Sequence, residues 1–350
     1  MSRKKVAIIF GGRSGEHEVS ILSARSVIAA LDPERWEAVP IGITRSGHWM
    51  TPTQTRAALQ AGTPTLTETG LPLLHATEAL QALANCDVAF PLVHGTFGED
   101  GTLQGLLEMA NIPYTGAGVA ASAIGMDKAL MKAIFREAGI PVPRYSVIRS
   151  WEYTLNQNTS MALIDNAIGY PCFVKPANGG SSVGITKARS REDLPSAFQA
   201  AFAYDDKAVV EQAITGRELE CSILGNEDPQ ASVVGEIVPD REFYDYHAKY
   251  DPASKSQLYI PAPITQAVAA QARELALRMY RVIGCQGYAR VDFFLTPSDQ
   301  LIANEINTIP GFTHISMYPK LWEASGLPYP ELLSRIIELA LQRHQRRPRP

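Results

Sequence analysis

Polar and apolar residues alternate most regularly between positions 288 and 307. The first part, YARVDFFL, places Arg290 and Asp292 on one face of a predicted strand and apolar residues on the other. A turn-forming Pro-Ser-Asp cluster follows. The next run, LIANEIN, is a second predicted strand on which Glu305 and Asn307 share a face. The pattern therefore predicts a β-hairpin.

The register of this hairpin brings oxygen-bearing side chains together. We expect a four-residue loop that pairs Thr296 with Leu301. The same register places Asp292 opposite Glu305, with Asn307 on the same face. Two facing carboxylates repel unless a cation lies between them, and Mg²⁺ binds few carboxylates together with phosphate oxygens. Because the flanking strand residues are apolar, we favour a magnesium site over a solvated charged face.

Composition limits the class of protein. A chain of 350 residues with 45% hydrophobic residues is long enough for two or three domains. The net charge of −4 gives no positive field for nucleic acid or an anionic membrane, so we expect neither as a partner. The sequence contains no apolar run of membrane-span length and no signal peptide. Its four cysteines are far apart and form no C-x-x-C pair, so we expect a cytoplasmic protein.

The N-terminal stretch predicts a parallel α/β unit. The apolar strand KVAIIF runs into the turn GGRSGEHEVS and then into a helix over about 19–31. The turn lacks the G-x-G-x-x-G spacing of dinucleotide-binding proteins, which argues against NAD. Glu16 lies at the carboxyl end of the strand, where such sheets bind ligands, and is a candidate for holding an ammonium group. The helix dipole explains an acid at this position equally well, and both interpretations stay open.

Two further segments of the first half carry candidate residues. His94 follows the strand DVAFPLV and precedes a glycine-rich loop. A lone histidine is more often structural, but this position raises the chance of a functional role. Residues 124–139 are predicted as one helix that carries Lys128.

A second glycine-rich loop follows the predicted strand 170–175. Its sequence, PANGGSSVG, includes Ser181 and Ser182 and offers many backbone donors that can surround phosphate oxygens. Lys175 at the strand end supplies a positive charge nearby. The loop is not a Walker loop, because G-K-[ST] is missing. A hairpin turn is the alternative, and the two interpretations are compatible.

The remaining chain predicts an adenine slot and a lid. Strands over 208–212 and 218–224 permit a slot for the base without requiring one. The tyrosine-rich stretch 243–259 is too polar for a core strand and too aromatic for a disordered segment, so we interpret it as a lid. In the turn after the hairpin, Gly311 and Ser316 can present a backbone N–H and a hydroxyl beside the metal.

Together these motifs resemble the D-alanine–D-alanine ligases, a branch of the ATP-grasp superfamily. The resemblance covers nearly the whole chain, and the motifs follow one another in the order found in that family. They are GGRSGEHEVS (11–20), HGTFGEDG (94–101), MDKALMK (126–132), VKPANGGSSVG (174–184), FYDYHAKY (243–250), RVDFF (290–294) and NEINTIPGFTHIS (304–316).

The resemblance implies a mixed α/β fold of the ATP-grasp type. An N-terminal domain with a parallel sheet, which binds substrate, would span 1–120. Two ATP-grasp subdomains with antiparallel sheets would follow, the central one over 121–214. The C-terminal one, with the lid and the metal site, would span 215–350. The resemblance also implies a homodimer.

The resemblance further implies the reaction and the nucleotide site. ATP would phosphorylate the carboxylate of one D-alanine, and the amine of a second D-alanine would displace the phosphate, giving a dipeptide for peptidoglycan precursors. Two Mg²⁺ ions, which Mn²⁺ can replace, would bind to Asp292, Glu305 and Asn307. The implied ATP contacts are Lys128, Lys175, Lys249 and Ser182 at the phosphates, Glu211 and the backbone to Ile214 at adenine, and Glu218 at the ribose.

The resemblance assigns the remaining residues to the amino acid substrates. Their implied partners are Glu16 for the first ammonium group, His94 near the first substrate, Ser316 for the second carboxylate, and Arg290 with the Gly311 N–H for the oxyanion. A further set, Glu16, Ser181 and Tyr250, would be hydrogen-bonded across the lid.

Three alternatives stay open. Another ATP-grasp ligase could use D-lactate or D-serine as acceptor, although Tyr250 favours D-alanine. A nicotinamide-dependent oxidoreductase would need the missing glycine motif. A nucleotide sensor without turnover would have no need for Arg290, Glu305 and Asn307.

Overall fold

The first sheet is parallel and carries two loops of the candidate site. The structure, a computed structural model, describes residues 3–66, 69–180, 182–239 and 256–346. The elements of the first part are β1 (Lys4–Gly11), α1 (His17–Ala30), β2 (Trp36–Ile43), α2 (Pro52–Gln60), α3 (Thr77–Ala84), β3 (Val88–Pro91), α4 (Thr102–Met109), α5 (Val119–Met126) and α6 (Lys128–Glu137). Strand β1 lies between β2 and β3 and is parallel to both.

Burial explains why this sheet is parallel. Residues 6–10 of β1 are fully buried, as a parallel strand covered on both faces requires. The loops that follow β1 and β3 leave the same edge of the sheet, because the carboxyl ends of parallel strands meet there. The predicted parallel α/β unit is confirmed.

The second sheet is antiparallel and holds the glycine-rich loop. Its elements are β4 (Tyr145–Arg149), α7 (Ser150–Leu155), α8 (Gln157–Ala167), β5 (Cys172–Pro176), β6 (Thr186–Ala188), α9 (Leu194–Phe202) and β7 (Lys207–Gln212). The strand order is β4-β7-β5-β6, and each neighbouring pair is antiparallel. One face packs on α8 and α9. Strands β5 and β6 form the predicted hairpin around the loop.

The third sheet is antiparallel and contains the acidic hairpin. Its elements are β8 (Arg217–Leu224), β9 (Gln230–Val238), β10 (Gln257–Tyr259), α10 (Gln266–Val282), β11 (Tyr288–Leu295), β12 (Leu301–Asn307), α11 (Met317–Ala324) and α12 (Tyr329–Arg346). The strand order is β10-β9-β8-β11-β12. Helix α10 covers one face through residues such as Ala272, Ala276 and Met279. The expected fold class, a parallel sheet followed by two antiparallel sheets, is confirmed.

The register of the β11–β12 hairpin is as predicted at its acidic end and differs at its tip. Both predicted pairs, 290 with 307 and 292 with 305, are present. The predicted pairing of Thr296 with Leu301 is wrong, because Leu295 takes that place. A β-bulge absorbs Asn304 as an extra residue, so the connecting loop is one residue longer than expected while the acidic side chains keep their common face.

The predicted single helix over 124–139 is also wrong. Helix α5 ends at Met126, and a new helix, α6, begins at Lys128. Asp127 between them has an extended backbone, and its carboxylate accepts the N–H groups of Ala129 (3.0 Å) and Leu130 (3.1 Å). The N-terminal cap therefore starts α6 anew and fixes the direction in which its lysines point.

The C-terminal helix α12 joins the first and third parts of the chain. The Trp36 indole donates to the Ser334 hydroxyl at 2.9 Å. Buried Arg343 donates to the carbonyl of Tyr114 at 2.7 Å and lies over the ring of the same residue. Residues of β1, β3 and α12 share one hydrophobic core. The parallel sheet is thereby fixed against the acidic hairpin.

Two further expectations concern the lid and the absence of a membrane-spanning helix. Most of the predicted lid, 243–259, lies outside the described residues, and β10 forms its described end. Among the described helices, none combines the length and the apolar character that a bilayer crossing requires.

Candidate active site

A cavity of about 820 Å³ is lined by residues of the two antiparallel sheets and of the loops that follow β1 and β3. Every predicted site residue that the structure describes lines this cavity. They are Glu16, His94, Lys128, Lys175, Ser182, Glu211, Ile214, Glu218, Arg290, Asp292, Glu305, Asn307, Gly311 and Ser316. Three further predicted residues, Ser181, Lys249 and Tyr250, lie outside the described residues.

A buried cluster that we call the lysine triad is formed by Lys132, Lys175 and Glu211, and the last two of these line the cavity. Lys132 of α6 lies 2.9 Å from the Glu211 carboxylate, and Lys175 of β5 forms an ion pair with the same group. Burial opposes the charge of Glu211, but the two lysines outweigh burial and lower its pKa to about 2. Burial also lowers the pKa of Lys132. The triad carries two cations around one anion, so its excess charge is positive.

Lys132 was missing from the predicted site, although the sequence contained a signal. It lies one helical turn after Lys128, so both side chains lie on one face of α6. Lys128 donates to the carbonyl of Gly179 in the glycine-rich loop at 2.7 Å. Helix α6 therefore contributes one lysine to the loop and one to the triad.

Another part of the cavity wall, the acidic wall, contains a cluster that we call the arginine triad, formed by Arg290, Asp292 and Glu220. The Arg290 guanidinium donates to both oxygens of Asp292 at 2.7 Å each and lies 3.0 Å from Glu220. Glu220 reaches the cluster because β8 pairs with β11 and places it beside Asp292. Burial opposes the charge of Arg290, but the two carboxylates outweigh it and raise the pKa of Arg290. Here two anions surround one cation, so the excess charge is negative.

Glu305 and Asn307 extend this acidic wall on β12. Glu305 is the direct cross-strand neighbour of Asp292. Within the described ranges, no group of three or more His, Cys, Asp or Glu side chains is arranged to hold a metal ion. The predicted donor set is smaller, with two carboxylates and one amide. A set of this kind fits Mg²⁺, which takes few protein oxygens and completes its shell with phosphate and water.

The glycine-rich loop crosses the cavity towards the parallel sheet. Asn178 is held at its start by Asp205, which accepts from the Asn178 backbone N–H at 2.7 Å and from its side chain at 2.8 Å. At Gly180 an added Cβ would collide with the Glu16 carboxylate. The loop backbone therefore lies directly on Glu16, and a larger residue at this position would require the Glu16 carboxylate to shift.

The edge of the parallel sheet contributes Glu16, His94 and Glu99. Glu16 is the N-cap residue of α1, and it lines the cavity. Buried His94 contacts the Ile309 carbonyl through Nδ1 (2.9 Å), and burial lowers its pKa, so the ring is neutral near pH 7. This contact also assigns the proton, because a carbonyl can only accept.

Glu99 was not predicted, although it lies in the motif HGTFGEDG. Its carboxylate accepts the N–H of Gly95 at 2.7 Å and the N–H of Ile309 at 3.0 Å. Burial and the nearby Glu16 carboxylate raise the pKa of Glu99 to about 8. Glu99 and His94 therefore hold both backbone groups of Ile309 from the parallel-sheet side.

The loop after β12 places Gly311 next to Ser316. An added Cβ at Gly311 would lie 2.7 Å from the Ser316 hydroxyl oxygen. That oxygen accepts the Thr313 N–H at 3.0 Å. Ser316 immediately precedes α11, so the N-terminus of this helix faces the cavity. Helix N-termini favour anionic groups such as carboxylates.

Comparison with known proteins gives one consistent family. The family model described as D-ala D-ala ligase N-terminus matches residues 5–117, and the one described as D-ala D-ala ligase C-terminus matches residues 134–338. A D-alanine–D-alanine ligase of Heliobacterium modesticaldum is 49% identical, over 100% of this chain and 98% of that protein.

Two solved structures are similar over nearly their whole length. The D-alanine-D-alanine ligase from Coxiella burnetii has a TM-score of 0.82 and 36% identity, over 99% of this chain and 96% of that one. The VanG D-Ala:D-Ser ligase from Enterococcus faecalis has a TM-score of 0.84 and 36% identity, over 97% of this chain and 100% of that one.

Proposed function

The chain belongs to the D-alanine–D-alanine ligase family, and we propose that it joins two D-alanine molecules at the expense of ATP, supplying the dipeptide for peptidoglycan precursors. One observation carries the proposal. A single cavity is lined by Lys175 of the positively charged triad, by the carboxylates of the acidic wall and by Glu16. The reaction needs such an arrangement, because it brings together an anionic nucleotide, a cation and a zwitterionic amino acid.

The chemistry proceeds through an activated acid. A carboxylate oxygen of the first D-alanine attacks the γ-phosphorus of ATP, the bond to ADP breaks, and an acyl phosphate forms. The amine of the second D-alanine then attacks the acyl carbon and loses a proton, and inorganic phosphate leaves with its bonding electrons. Catalysis of phosphoryl transfer depends mainly on positioning and charge neutralisation.

The lysines suit the nucleotide phosphates. We assign Lys128, Lys175 and Ser182 to the phosphates, with Lys249 beyond the described residues, and Lys132, which does not line the cavity, supports Lys175 by sharing Glu211. The carboxylate of Glu211 is engaged by the lysines. We therefore propose that the backbone from 212 to Ile214 binds adenine, next to Glu211, while Glu218 binds the ribose.

The acidic wall suits divalent cations. Asp292, Glu305 and Asn307 would hold Mg²⁺, or Mn²⁺ in its place, and two such ions would neutralise charge on the transferred phosphoryl group. Asp292 also fixes Arg290 through two hydrogen bonds. These contacts use Nε and one terminal nitrogen of Arg290.

The amino acid substrates would lie in the same cavity, near Glu16 and the start of α11. Glu16 would bind the first ammonium group, with Ser181 and Tyr250 completing the hydrogen bonds across the lid, and His94 would lie near that substrate. Ser316 and the start of α11 would bind the second carboxylate. Arg290 and the Gly311 N–H would stabilise the oxyanion, an effect of roughly 3–4 kcal/mol per donor in other enzymes.

We extend the proposal to organisation and location. A homodimer in the cytoplasm agrees with family membership. The three-part division into 1–120, 121–214 and 215–350 is supported by the sheets, each of which lies within one range. Size-exclusion chromatography with light scattering tests the dimer.

The test of the main proposal is ADP release that depends on D-alanine. We expect a coupled assay to show ADP formation only with ATP, Mg²⁺ and D-alanine together, with D-alanyl-D-alanine as product. ADP release that D-alanine does not stimulate at any Mg²⁺ concentration would refute the proposal.

The similarity to the VanG D-Ala:D-Ser ligase supports a second candidate, in which D-serine is the acceptor. Competition between D-alanine, D-serine and D-lactate for the second position, followed by mass spectrometry of the products, separates the two. We expect D-alanyl-D-alanine as the main product, and a majority of mixed dipeptide would favour the second candidate.

A further inference from the structure

The segment from Ile309 to Phe312 is held by its backbone at both ends. Glu99 and His94 bind the N–H and the carbonyl of Ile309. At the other end, the Phe312 N–H donates to the Ser23 hydroxyl at 3.3 Å. Between the two ends lie only Pro310, which has no N–H, and Gly311. These three hydrogen bonds and a fourth from Tyr329 fix the short segment that carries the proposed oxyanion donor.

Tyr329 supplies the fourth of these bonds. Its hydroxyl donates to the Phe312 carbonyl at 2.8 Å and also lies 3.2 Å from the Ser26 hydroxyl. Tyr329 begins α12, which packs on the parallel sheet. The Phe312 backbone is therefore held by α1 through Ser23 and by α12 through Tyr329.

The hydrogen bonds at Ser23 have defined directions. His94 is neutral and carries its proton on Nδ1, so its Nε2, 3.1 Å from the Ser23 oxygen, can only accept. Ser23 must then donate its hydroxyl proton to His94, and its oxygen is free to accept the Phe312 N–H. The chain of donors runs from Phe312 through Ser23 to His94 and on to Ile309. It links the two ends of the segment to each other.

Packing already fixes the position of Phe312 without these hydroxyl groups. Its ring makes edge-to-face contacts with Phe90 and Tyr288 and a tilted contact with Tyr318, at centroid distances of 5.4–5.6 Å. A ring contact leaves the neighbouring peptide planes free to tilt. Hydrogen bonds to the N–H and the carbonyl set that tilt. The hydroxyl groups therefore control orientation, which an oxyanion donor requires.

We propose that Ser23 and Tyr329 are positioning residues that hold the Phe312 backbone and thereby aim the Gly311 N–H at the oxyanion. The inference rests on the proposed function. Neither side chain lines the cavity, so each acts through the backbone of the 309–312 segment. Removing either hydroxyl should lower kcat and leave ATP binding unchanged.

The experiment compares Ser23→Ala with Ser20→Ala. Ser20 lies one turn earlier on α1, is equally buried, and binds the Gly11 N–H (2.7 Å) and the Leu92 carbonyl (2.6 Å). Both variants lose a buried hydroxyl with two partners, and only one of them touches the 309–312 segment. We expect Ser23→Ala to lower kcat about 10-fold, because small misplacements of reacting groups are costly, with KM for ATP within about 2-fold. Ser20→Ala should keep kcat within about 2-fold at a similar loss of thermal stability.

A second measurement uses a dipeptide analogue with a tetrahedral phosphinate in place of the peptide carbonyl. Its charged oxygen occupies the place of the oxyanion, so its affinity should fall by about the same factor as kcat in Ser23→Ala. The affinity for ADP, measured by calorimetry, should not change. A purely structural defect would not separate these two ligands.

Tyr329→Phe extends the test as a double-mutant cycle. The single variant Tyr329→Phe should lower kcat about 3-fold. The double variant with Ser23→Ala should differ from the product of the two single effects, because both hydroxyl groups hold the Phe312 backbone. Ser20→Ala and Tyr329→Phe should combine independently.

The outcomes are distinguishable. The inference would be overturned by equal kcat values in Ser23→Ala and Ser20→Ala, or by an equal loss of phosphinate and ADP affinity in Ser23→Ala. In either case, ligase activity of the wild-type protein would still support the proposed function. A wild-type protein without D-alanine-dependent ADP release would overturn both.

Discussion

The lysine triad and the arginine triad arrange their buried charges in opposite ways. The lysine triad surrounds one carboxylate with two ammonium groups, and the arginine triad surrounds one guanidinium with two carboxylates. Burying either set of charges costs solvation energy. A protein with apolar residues of similar size in these positions would often be at least as stable. The excess charges are opposite in sign and face one cavity. Together these charges suit a site that takes both an anionic nucleotide and divalent cations.

The two clusters also differ in how they are built. The arginine triad lies on neighbouring strands, β8 and β11, and Glu305 follows on β12. The lysine triad joins a helix to two strands of another sheet, with Lys132 and Glu211 separated by 79 positions in the sequence. One cluster depends on strand register, and the other depends on how α6 packs. The following changes test this contrast.

The largest effect is expected for Glu211→Gln. The change leaves Lys132, which is 1% exposed, and Lys175 without their counterion. Breaking a buried ion pair by removing one partner costs roughly 3–5 kcal/mol, so we expect a loss of that size in urea unfolding. The matched control is Glu338→Gln, which removes the exposed pair with Arg35 and should cost about 1 kcal/mol or less. Equal losses would show that the triad is not a stabilising cluster.

Glu305→Gln tests the acidic wall. The substitution keeps the size of the side chain and removes one negative charge from the proposed metal site. We expect kcat to fall by on the order of 100-fold. The circular dichroism spectrum and the melting temperature without nucleotide should stay close to those of the wild type. The concentration of Mg²⁺ needed for half-maximal activity should rise. Near-normal turnover at low Mg²⁺ would contradict the assignment of this residue.

Gly180→Ala tests the contact of the glycine-rich loop with Glu16. The added Cβ would collide with the Glu16 carboxylate, so this side chain must move. We expect KM for D-alanine at the first position to rise by about 10-fold, which corresponds to about 1.4 kcal/mol of lost binding. The control is Gly179→Ala, whose Cβ would meet Pro176 at 3.4 Å, an ordinary contact. Similar KM values in both variants would show that the contact between this loop and Glu16 does not contribute to substrate binding.

The smallest effect is a pH dependence of the lysine triad. In the unfolded chain Glu211 has a pKa near 4.5, and in the folded protein the lysines outweigh burial and lower it to about 2. Between these values the unfolded chain binds more protons, so the stability from Glu211 is complete above about pH 4.5 and is lost as the pH falls towards 2. The difference in unfolding free energy between wild type and Glu211→Gln should therefore narrow from about pH 6 to about pH 3. A constant difference would mean that the pKa of Glu211 is not lowered.

Local patterns predicted the elements and the acidic face well. Alternation over 288–295 and 301–307 gave both strands and the pairing of Asp292 with Glu305. The bulge at Asn304 was not predictable from alternation, because a bulge changes pairing without changing which residues are apolar. The start of α6 has a recognisable signal, an aspartate followed by a helical run, but the same run also fits the interior of one longer helix.

The sequence by itself determined the kinds of side chain available and their spacing within each strand, turn and helix. Strand and helix periods are local properties, so the shared face of Asp292, Glu305 and Asn307 followed from a few neighbouring residues. Only the tertiary structure decided that Lys132 meets Glu211, that Glu99 and His94 hold Ile309, and that Ser23 holds Phe312. These partners lie up to about 290 positions apart, and only the packing of complete elements brings them within hydrogen-bonding distance.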